Sequence, residues 1–542
     1  MHSTRLLIRF FTLGSMLVSA TMIEAALYRG TLVSVSRESG TLAIKMRARK
    51  EAKTLQLADD ILIRVARKPG SLEDLEPGQR VIVRTDRAKR VIRVTIRSES
   101  SRRKRGRTSN QRKKSSEENA QGAERAGSGQ TAEFSDAGRQ AQPATKSRAN
   151  SAVVWGEFRG PDRNNLSRET GLLTNWPADG PRQLWAARGL GEGYSSVCVA
   201  YNSVYTMGNV DDREMVLAVS LESGQPLWSV PTGGRATRQN SGNGPRGTPT
   251  IDGERLYALG VDGDLVCIDL PTQEVVWGGN ILRKFKAKNI HWGISESVLI
   301  DGERLICTPG GRKATLVALD KQTGDLLWRA AVPGDPRAPY ASAIVAEVDG
   351  VRQYVAFTSK SVVGIRADDG SILWQEDSSA NGTANCATPI FYQGHVFSAS
   401  GYGTGGALLR LQSEGNKTNA TRVYHTRKMK NHHGGMVVID DHLYGADDRV
   451  LTCLNLADGS PVWRDRSVGK SSIVYADGHL YVRSENGPVA LVEATPAGYR
   501  EKGRFKQPLR SGANSWSHPV VADGKLFLRD MDVLLCYDLT SG

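Results

Sequence analysis

Apolar and polar positions along this chain fall into short units that recur. From Leu316 to Trp328 the residues LVALDKQTGDLLW form an apolar run, a polar turn closed by Gly324, and a second short run ending in Trp. Near copies end at Trp228 (VLAVSLESGQPLW), Trp277 (LVCIDLPTQEVVW), Trp374 (VVGIRADDGSILW) and Trp463 (LTCLNLADGSPVW). Runs this short, rich in Val, Ile and Leu and bounded by Asp, Ser, Thr and Gly, predict strands joined by tight turns. A second pattern precedes each phrase: an apolar strand, a DG-type turn and another strand, as in TPTIDGERLYALG, ESVLIDGERLICTPG, SSIVYADGHLYVRS and SHPVVADGKLFLRD.

Eight such hairpins are present, with turns at Asn202, Asp252, Asp301, Asp349, Gln393, Asp440, Asp477 and Asp523. Their spacing of 37 to 50 residues, with four strand-sized segments in each unit, predicts an all-β, eight-bladed β-propeller. Outer strands end at Trp185, Trp228, Trp277, Trp328, Trp374, Tyr424, Trp463 and Phe505. The first of them, GPRQLW, has no partner strand before it, whereas LLCYDLTSG at the C-terminal end has none after it. Pairing the two completes an eighth blade and leaves only short sheet edges. On this reading Gly324 permits the turn, Asp320 holds turn amides, and Trp328 lays its ring between blades with the indole N–H offered to a carbonyl. Trp228, Trp277, Trp374 and Trp463 are then structural docking residues as well.

The chain before residue 151 is different in kind. Arg5 and Arg9, the apolar run Phe10–Ile23 and the small Ala25 and Ala26 have the layout of a secretory signal, expected to be cleaved near Ala25 and to leave no transmembrane domain. Residues 26–97 alternate apolar and polar in bursts such as GTLVSVS, GTLAIKM and RVIRVTIR, which predicts a small β-barrel-like module of about five strands. Residues 98–150 are rich in Arg, Lys, Ser, Gln and Gly and poor in large apolar side chains, and so read as a basic disordered linker. Much of the net charge of +15 sits before residue 150, and Ser101–Lys114 carries eight Lys or Arg and no acid. That stretch suits contact with an anionic cell surface, and charge without aromatics predicts no specific nucleic-acid binding. The propeller is assigned residues 151–542, and the whole is expected to be exported, periplasmic or at the cell surface, with no lipobox Cys. The six cysteines include no CxxC or CxxCH motif. Cys267, Cys453 and Cys536 occupy one slot of the repeated phrase, so they are expected to be buried apolar fillers, unbridged to one another.

The phrase A-x-D-x-x-[ST]-G-x-x-x-W at blade spacing resembles the pyrroloquinoline quinone (PQQ)-like repeat of quinoprotein dehydrogenases and of BamB, the outer-membrane barrel-assembly propeller. WGEFRGPDRNNLSRETGLLTNWP, NHHGGMVV and SGYGTGGALL look more specifically like exported PQQ-like propeller proteins of planctomycete-type bacteria. The resemblance implies either a scaffold that docks a partner or an oxidoreductase. The adjacent Cys-Cys pair of quinoprotein alcohol dehydrogenases has no counterpart, since Cys198, Cys307 and Cys386 stand alone.

In a propeller the innermost strands and the loops entering them frame the channel, where a ligand meets the protein. Those segments supply the candidate binding residues Tyr194, Asn240, Arg246, Trp292, Tyr340, Asn381, His432, Lys470, Trp516 and His518. Two functional readings follow. In the first, Arg and aromatic anchors dock a protein or small-molecule partner at the channel face, as in a BamB-like scaffold. In the second, the resemblance to quinoproteins implies PQQ with Ca²⁺ held by Glu296 and Asn385, acting on an alcohol or sugar. Glu296 is the one obvious carboxylate of these segments, a thin supply for a metal site and a base. His291, His432, His433 and His518 are a further candidate cluster, although adjacent His432 and His433 on a strand are expected to face opposite ways.

Overall fold

The computed structural model describes residues 27–36, 39–46, 52–65, 68–72, 75–85, 91–96, 153–237 and 242–540. The expected leader (1–25) and the whole of the basic linker (98–150) lie outside the described residues, as does Asn240. The chain divides into two compact units, 1–133 and 134–542.

The first unit holds β1 (Leu27–Ser36), β2 (Thr41–Met46), β3 (Ala52–Val65), β4 (Lys68–Gly70), β5 (Arg80–Thr85) and β6 (Val91–Ile96), hydrogen-bonded in the order β2-β1-β5-β6-β3-β4. Because β2 also pairs with β3, five of the strands form a closed circuit of neighbours. Period-two alternation sends one set of side chains inward. Leu42 and Ile44 of β2 are buried beside Leu32, Leu55, Val81, Val83, Val91 and Val94.

In the second unit, eight antiparallel sheets follow one another among the described residues. Sheet 1 spans Cys198–Gly234, sheet 2 Thr250–Asn280, sheet 3 Leu299–Ala330, sheet 4 Ile344–Glu376, sheet 5 Ile390–Thr426, sheet 6 Met436–Asp465 and sheet 7 Ser471–Lys506. Sheet 8 joins Val520–Ala522, Lys525–Asp530 and Val533–Asp538 to β8 (Gln183–Arg188), with Cys536 opposite Trp185. β7 (Val153–Trp155) adds a fifth strand to sheet 1, beside its first strand. First strands of most successive sheets touch, which gathers them towards one axis. Most hairpins between first and second strands turn on two residues of positive φ, such as Asp349–Gly350 and Asp477–Gly478. Such turns match the right-handed strand twist. The only helix among the described residues of this unit is the short Ile281–Lys284, and no described helix is long and apolar enough to cross a membrane.

The recurring Trp marks where one sheet meets the next. Gly324, at φ +74°, closes the last turn of sheet 3, and a Cβ there would come within 2.7 Å of the Trp277 ring from sheet 2. Trp277 Nε1 donates to the Lys321 carbonyl of the same turn at 3.0 Å. Trp185 repeats the arrangement on Gly224 and Leu221, and Trp328 on Gly370 and Ala367. Tyr424 takes the place of Trp against Gly459, its hydroxyl donating to Leu456, and Trp463 donates to Thr495. Asp320 Oδ1 accepts from the amides of Gln322 and Thr323 at 2.8 and 2.9 Å, which shapes the turn the ring rests on.

Two of the five docking tryptophans depart from the pattern. Trp374 Nε1 donates to the Gln353 side chain of its own sheet, because sheet 5 replaces the short turn by a long hairpin, Gly405–Glu414 with Lys417–Thr426. Trp228 Nε1 is buried without an acceptor among the described residues, and the turn that follows in sheet 2 carries Gln273 at positive φ where the others carry Gly. Cys267, Cys453 and Cys536 are buried, unbridged, and each sits in its own sheet.

Candidate functional site: an aromatic pocket at the inner loops

Segments leading into the first strands converge on a cavity of about 210 Å³. It is lined by Phe158, Tyr194, Trp292, Tyr340, Tyr402 and Trp516, with Arg246, His432, His433, His518 and Cys386 among them. The rings are packed against each other and so are held in place. Tyr194 and Trp516 lie 4.8 Å apart between centroids at 33°, and the Arg246 guanidinium sits 5.0 Å from the Tyr194 centroid. Trp292 meets Tyr340 edge-on at 5.5 Å. Tyr402 meets His432 at 4.9 Å, with the hydroxyl 3.1 Å from Nε2.

Three histidines enter the wall, and all are held neutral. Burial, reinforced by neighbouring His433 and Lys470, lowers His432 to about 3. Burial also lowers His518 to about 3 and pulls His433 below the ordinary imidazole value. His518 Nε2 lies 2.8 Å from the His433 carbonyl, which fixes the proton of the neutral ring on Nε2. The expectation that His432 and His433 face opposite ways is corrected. Both precede the strand Met436–Ile439, where the backbone is irregular, and both line the cavity.

The carboxylate beside the pocket is Glu485, just after the second strand of sheet 7, and not Glu296. The close approach of His433, followed by the Lys470 charge and the Trp516 indole N–H, holds Glu485 at about 2, so it is ionised. Lys470 Nζ and His433 Nε2 each lie 3.5 Å from its Oε2, and Trp516 Nε1 lies 3.2 Å away. Lys470 therefore neutralises this acid at the edge of the pocket. Cys386 is a poor nucleophile, because burial pushes its thiol up to about 12.

Of the candidate binding residues, Tyr194, Arg246, Trp292, Tyr340, His432, Trp516 and His518 are brought together, and Lys470 stands beside them. Asn381 is not part of the lining. Its side chain holds its own turn, accepting from the amides of Thr383 and Ala384 and donating to the Ala384 carbonyl. The two candidate calcium ligands are committed elsewhere. Glu296 is buried, accepts from the Thr308 amide and hydroxyl at 2.8 and 2.9 Å, and is raised to about 7 by burial. Asn385 donates to the Thr358 carbonyl and accepts from the Asn381 amide. No group of three or more His, Cys, Asp or Glu among the described residues is placed to hold a metal. The donor set does not fit a calcium-bound quinone, since a hard cation of this kind needs six or more oxygens, several of them carboxylate. The quinone ring alone would find flat walls and a cation, but not its metal. Phe158, Tyr402, Cys386 and Glu485 were absent from the sequence-derived set. Phe158 and Tyr402 lie inside WGEFRG and SGYGTGG, stretches the sequence had marked without assigning those residues a role.

The family described as outer membrane protein assembly factor BamB matches residues 136–292 and 212–465. The chain belongs to this family of PQQ-like repeat β-propellers. No curated protein matches it. Among solved structures, BamB from Moraxella catarrhalis is 14% identical, with a TM-score of 0.45 over 66% of this chain and 98% of that one. Quinohemoprotein alcohol dehydrogenase from Comamonas testosteroni is 12% identical, with a TM-score of 0.50 over 72% and 81%. At such identities the likeness speaks to fold alone.

Proposed function

We propose that this protein is an exported, non-catalytic binding propeller that takes a flat group of a ligand or partner between the aromatic walls of the pocket. In this reading the eight sheets are the eight blades of one closed ring, residues 26–97 are a small barrel-like module, and 98–150 tether the two after removal of the leader. One observation carries the reading. Six aromatic rings and Arg246 surround the cavity, while the acid at its edge, Glu485, is ionised and tied to Lys470. Recognition surfaces of this kind are built from rigid aromatics and Arg. General acid–base chemistry, by contrast, needs a group that titrates near the working pH. Of the groups that line this pocket, His432 and His518 are neutral throughout that range, and Glu485 at its edge stays charged.

The test is a titration of the full chain with PQQ, with and without Ca²⁺, following the fluorescence of Trp292 and Trp516, together with a quinone-linked dye-reduction assay. The binding reading expects no Ca²⁺-dependent component and no dye reduction. Saturable Ca²⁺-dependent quenching with turnover would replace it by an oxidoreductase acting on an alcohol or sugar.

A further inference from the structure

β7 and the segment that follows it make polar contact with all eight sheets: residues 156–167 meet first strands and the residues flanking them, whereas residues 169–176 run out to the hairpin turn of sheet 8 and the outermost strand of sheet 7. β7 pairs with the first strand of sheet 1, and the Gly156 carbonyl accepts from the Ile251 amide of sheet 2 at 2.7 Å. Arg163 donates to the carbonyls of Ser297 and Val298, at the entry to sheet 3, and of Ala343, at the entry to sheet 4. Arg159 donates to Thr388 and Pro389, before sheet 5, and to Met436 of sheet 6. Asn165 and Ser167 bond both ways with Tyr475 of sheet 7. Glu169 accepts from the turn amides of Asp523 and Gly524 in sheet 8, where Leu173 also donates to Leu539. Arg159, Arg163 and Asn165 all have positive φ, between 52° and 72°, and all three are buried. Backbone strain of this kind persists only where the surroundings over-determine it.

Its position relative to the pocket follows from the order of residues along each loop. Trp292 and Ser295 line the cavity, Ser297 and Val298 take Arg163, and the strand begins at Leu299. The same order holds for Tyr340, Ala343 and Ile344, for Cys386, Thr388 and Ile390, and for His433 followed by Met436. Each loop meets the pocket first and the segment next. Phe158, carried between Trp155 and Arg159, turns into the cavity and packs 5.0 Å from His518. A second cavity, polar and lined by Glu157, Asp162, Arg163, Asp301 and Arg352, lies among the first-strand residues beyond it.

We propose that residues 155–167 are a built-in stopper that closes the central channel, with Phe158 as the floor that sets how deep a ligand reaches. The aromatic pocket then has one mouth and admits a single ring or the end of a chain, whereas a polymer cannot thread through. The part concerning ligand depth rests on the binding reading above; the closure does not.

Two measurements on the full chain test it. In hydrogen–deuterium exchange, the amides of Ser167, Ile251 and Tyr475 are expected to exchange at least about a hundredfold more slowly than those of the exposed turn at 414–417. Exchange as fast as that turn would overturn the closure. In Arg163→Lys, which keeps the charge but loses the fork, these amides speed up while the amides of sheets 6 and 7 facing away from the segment stay protected. The second measurement compares phenylacetate with 4-biphenylacetate, which differ by one ring along one axis. Phe158→Ala is expected to tighten the longer acid by about tenfold relative to the shorter. An unchanged ratio, with both acids bound and the segment protected, overturns the role of Phe158 and leaves the binding reading standing. If neither acid binds any variant, the binding reading fails and the depth claim fails with it, while the exchange result still decides the closure.

Discussion

The rim and the axis of the second unit are built on opposite principles. At the rim one contact is repeated: an aromatic side chain from one sheet rests on the turn of the next and, in most cases, donates to a carbonyl there. On the axis nothing repeats, and a single segment bonds to each sheet at a different place, its two buried arginines taking carbonyls where the first strands of four sheets begin. The contrast shows why a ring of near-equivalent units can carry a specific site. Repetition fixes the spacing of the sheets, and that spacing presents non-equivalent loops to a common centre.

The largest break in this comparison is expected at the axis. Arg163→Ala removes three carbonyl contacts and leaves the part-buried Glu157 without its cation, 3.1 Å from where the guanidinium stood. A loss of about 3–5 kcal/mol is expected in denaturant unfolding, and a loss below 1 kcal/mol would mean the segment is not integral to the ring.

Acid comes next. His432 and His518 have folded pKa values near 3, below the ordinary value of 6.5, so their contribution is complete above pH 6.5 and is lost as pH falls towards 3. Each adds a slope of about 1.4 kcal/mol per pH unit within that window. Glu157 and Glu296 run the other way. Burial raises both from 4.5 to about 7, so their contribution is complete below 4.5 and is lost as pH rises through 7. The two pairs offset each other between pH 4.5 and 6.5, and the histidines act unopposed below. Urea midpoints measured against pH should therefore fall most steeply below 4.5, and His518→Asn should make that limb shallower. An identical limb in the variant would remove His518 from the account.

Smaller effects sharpen the rim. Gly324→Ala places a Cβ against the Trp277 ring at a residue of positive φ, and about 2 kcal/mol of destabilisation is expected from strain and displacement together. Trp328→Phe gives up the bond to Ala367, at about 1 kcal/mol, whereas Trp228→Phe, whose indole N–H has no described acceptor, should cost less than half as much. Equal losses in the two tryptophan variants would show that ring burial, not the donated hydrogen bond, sets the contribution.

The rim was legible in the sequence because each of its contacts is local and repeated. The DG-type turns, the Gly of the C-terminal turn and the Trp four residues later state the hairpins, and GPRQLW with LLCYDLTSG foretold the pairing of β8 with Val533–Asp538. The pocket was legible in part, since Tyr194, Arg246, Trp292, Tyr340 and Trp516 sit just before apolar strands and their place on the axis follows from the repeat. Glu296 misled because position before a strand does not say which way a side chain turns, and Thr308, just past the end of the next strand, takes it. The role of Arg159 and Arg163 was out of reach, because the carbonyls they satisfy belong to residues far along the chain and leave no periodic trace.

The pairing of β8 with strands near residue 536, together with a central segment bonded to every sheet, also sets when the molecule can finish folding. These contacts join residues 153–188 to partners spread over nearly the whole of the rest of the chain, and loop-closure entropy makes such contacts late and slow. The seven other sheets can hairpin up locally as they emerge, but the segment has no complete set of acceptors until the eighth is in place. A chain caught before that moment has its strands and lacks its aromatic cavity, so the pocket serves as the marker of a completed fold.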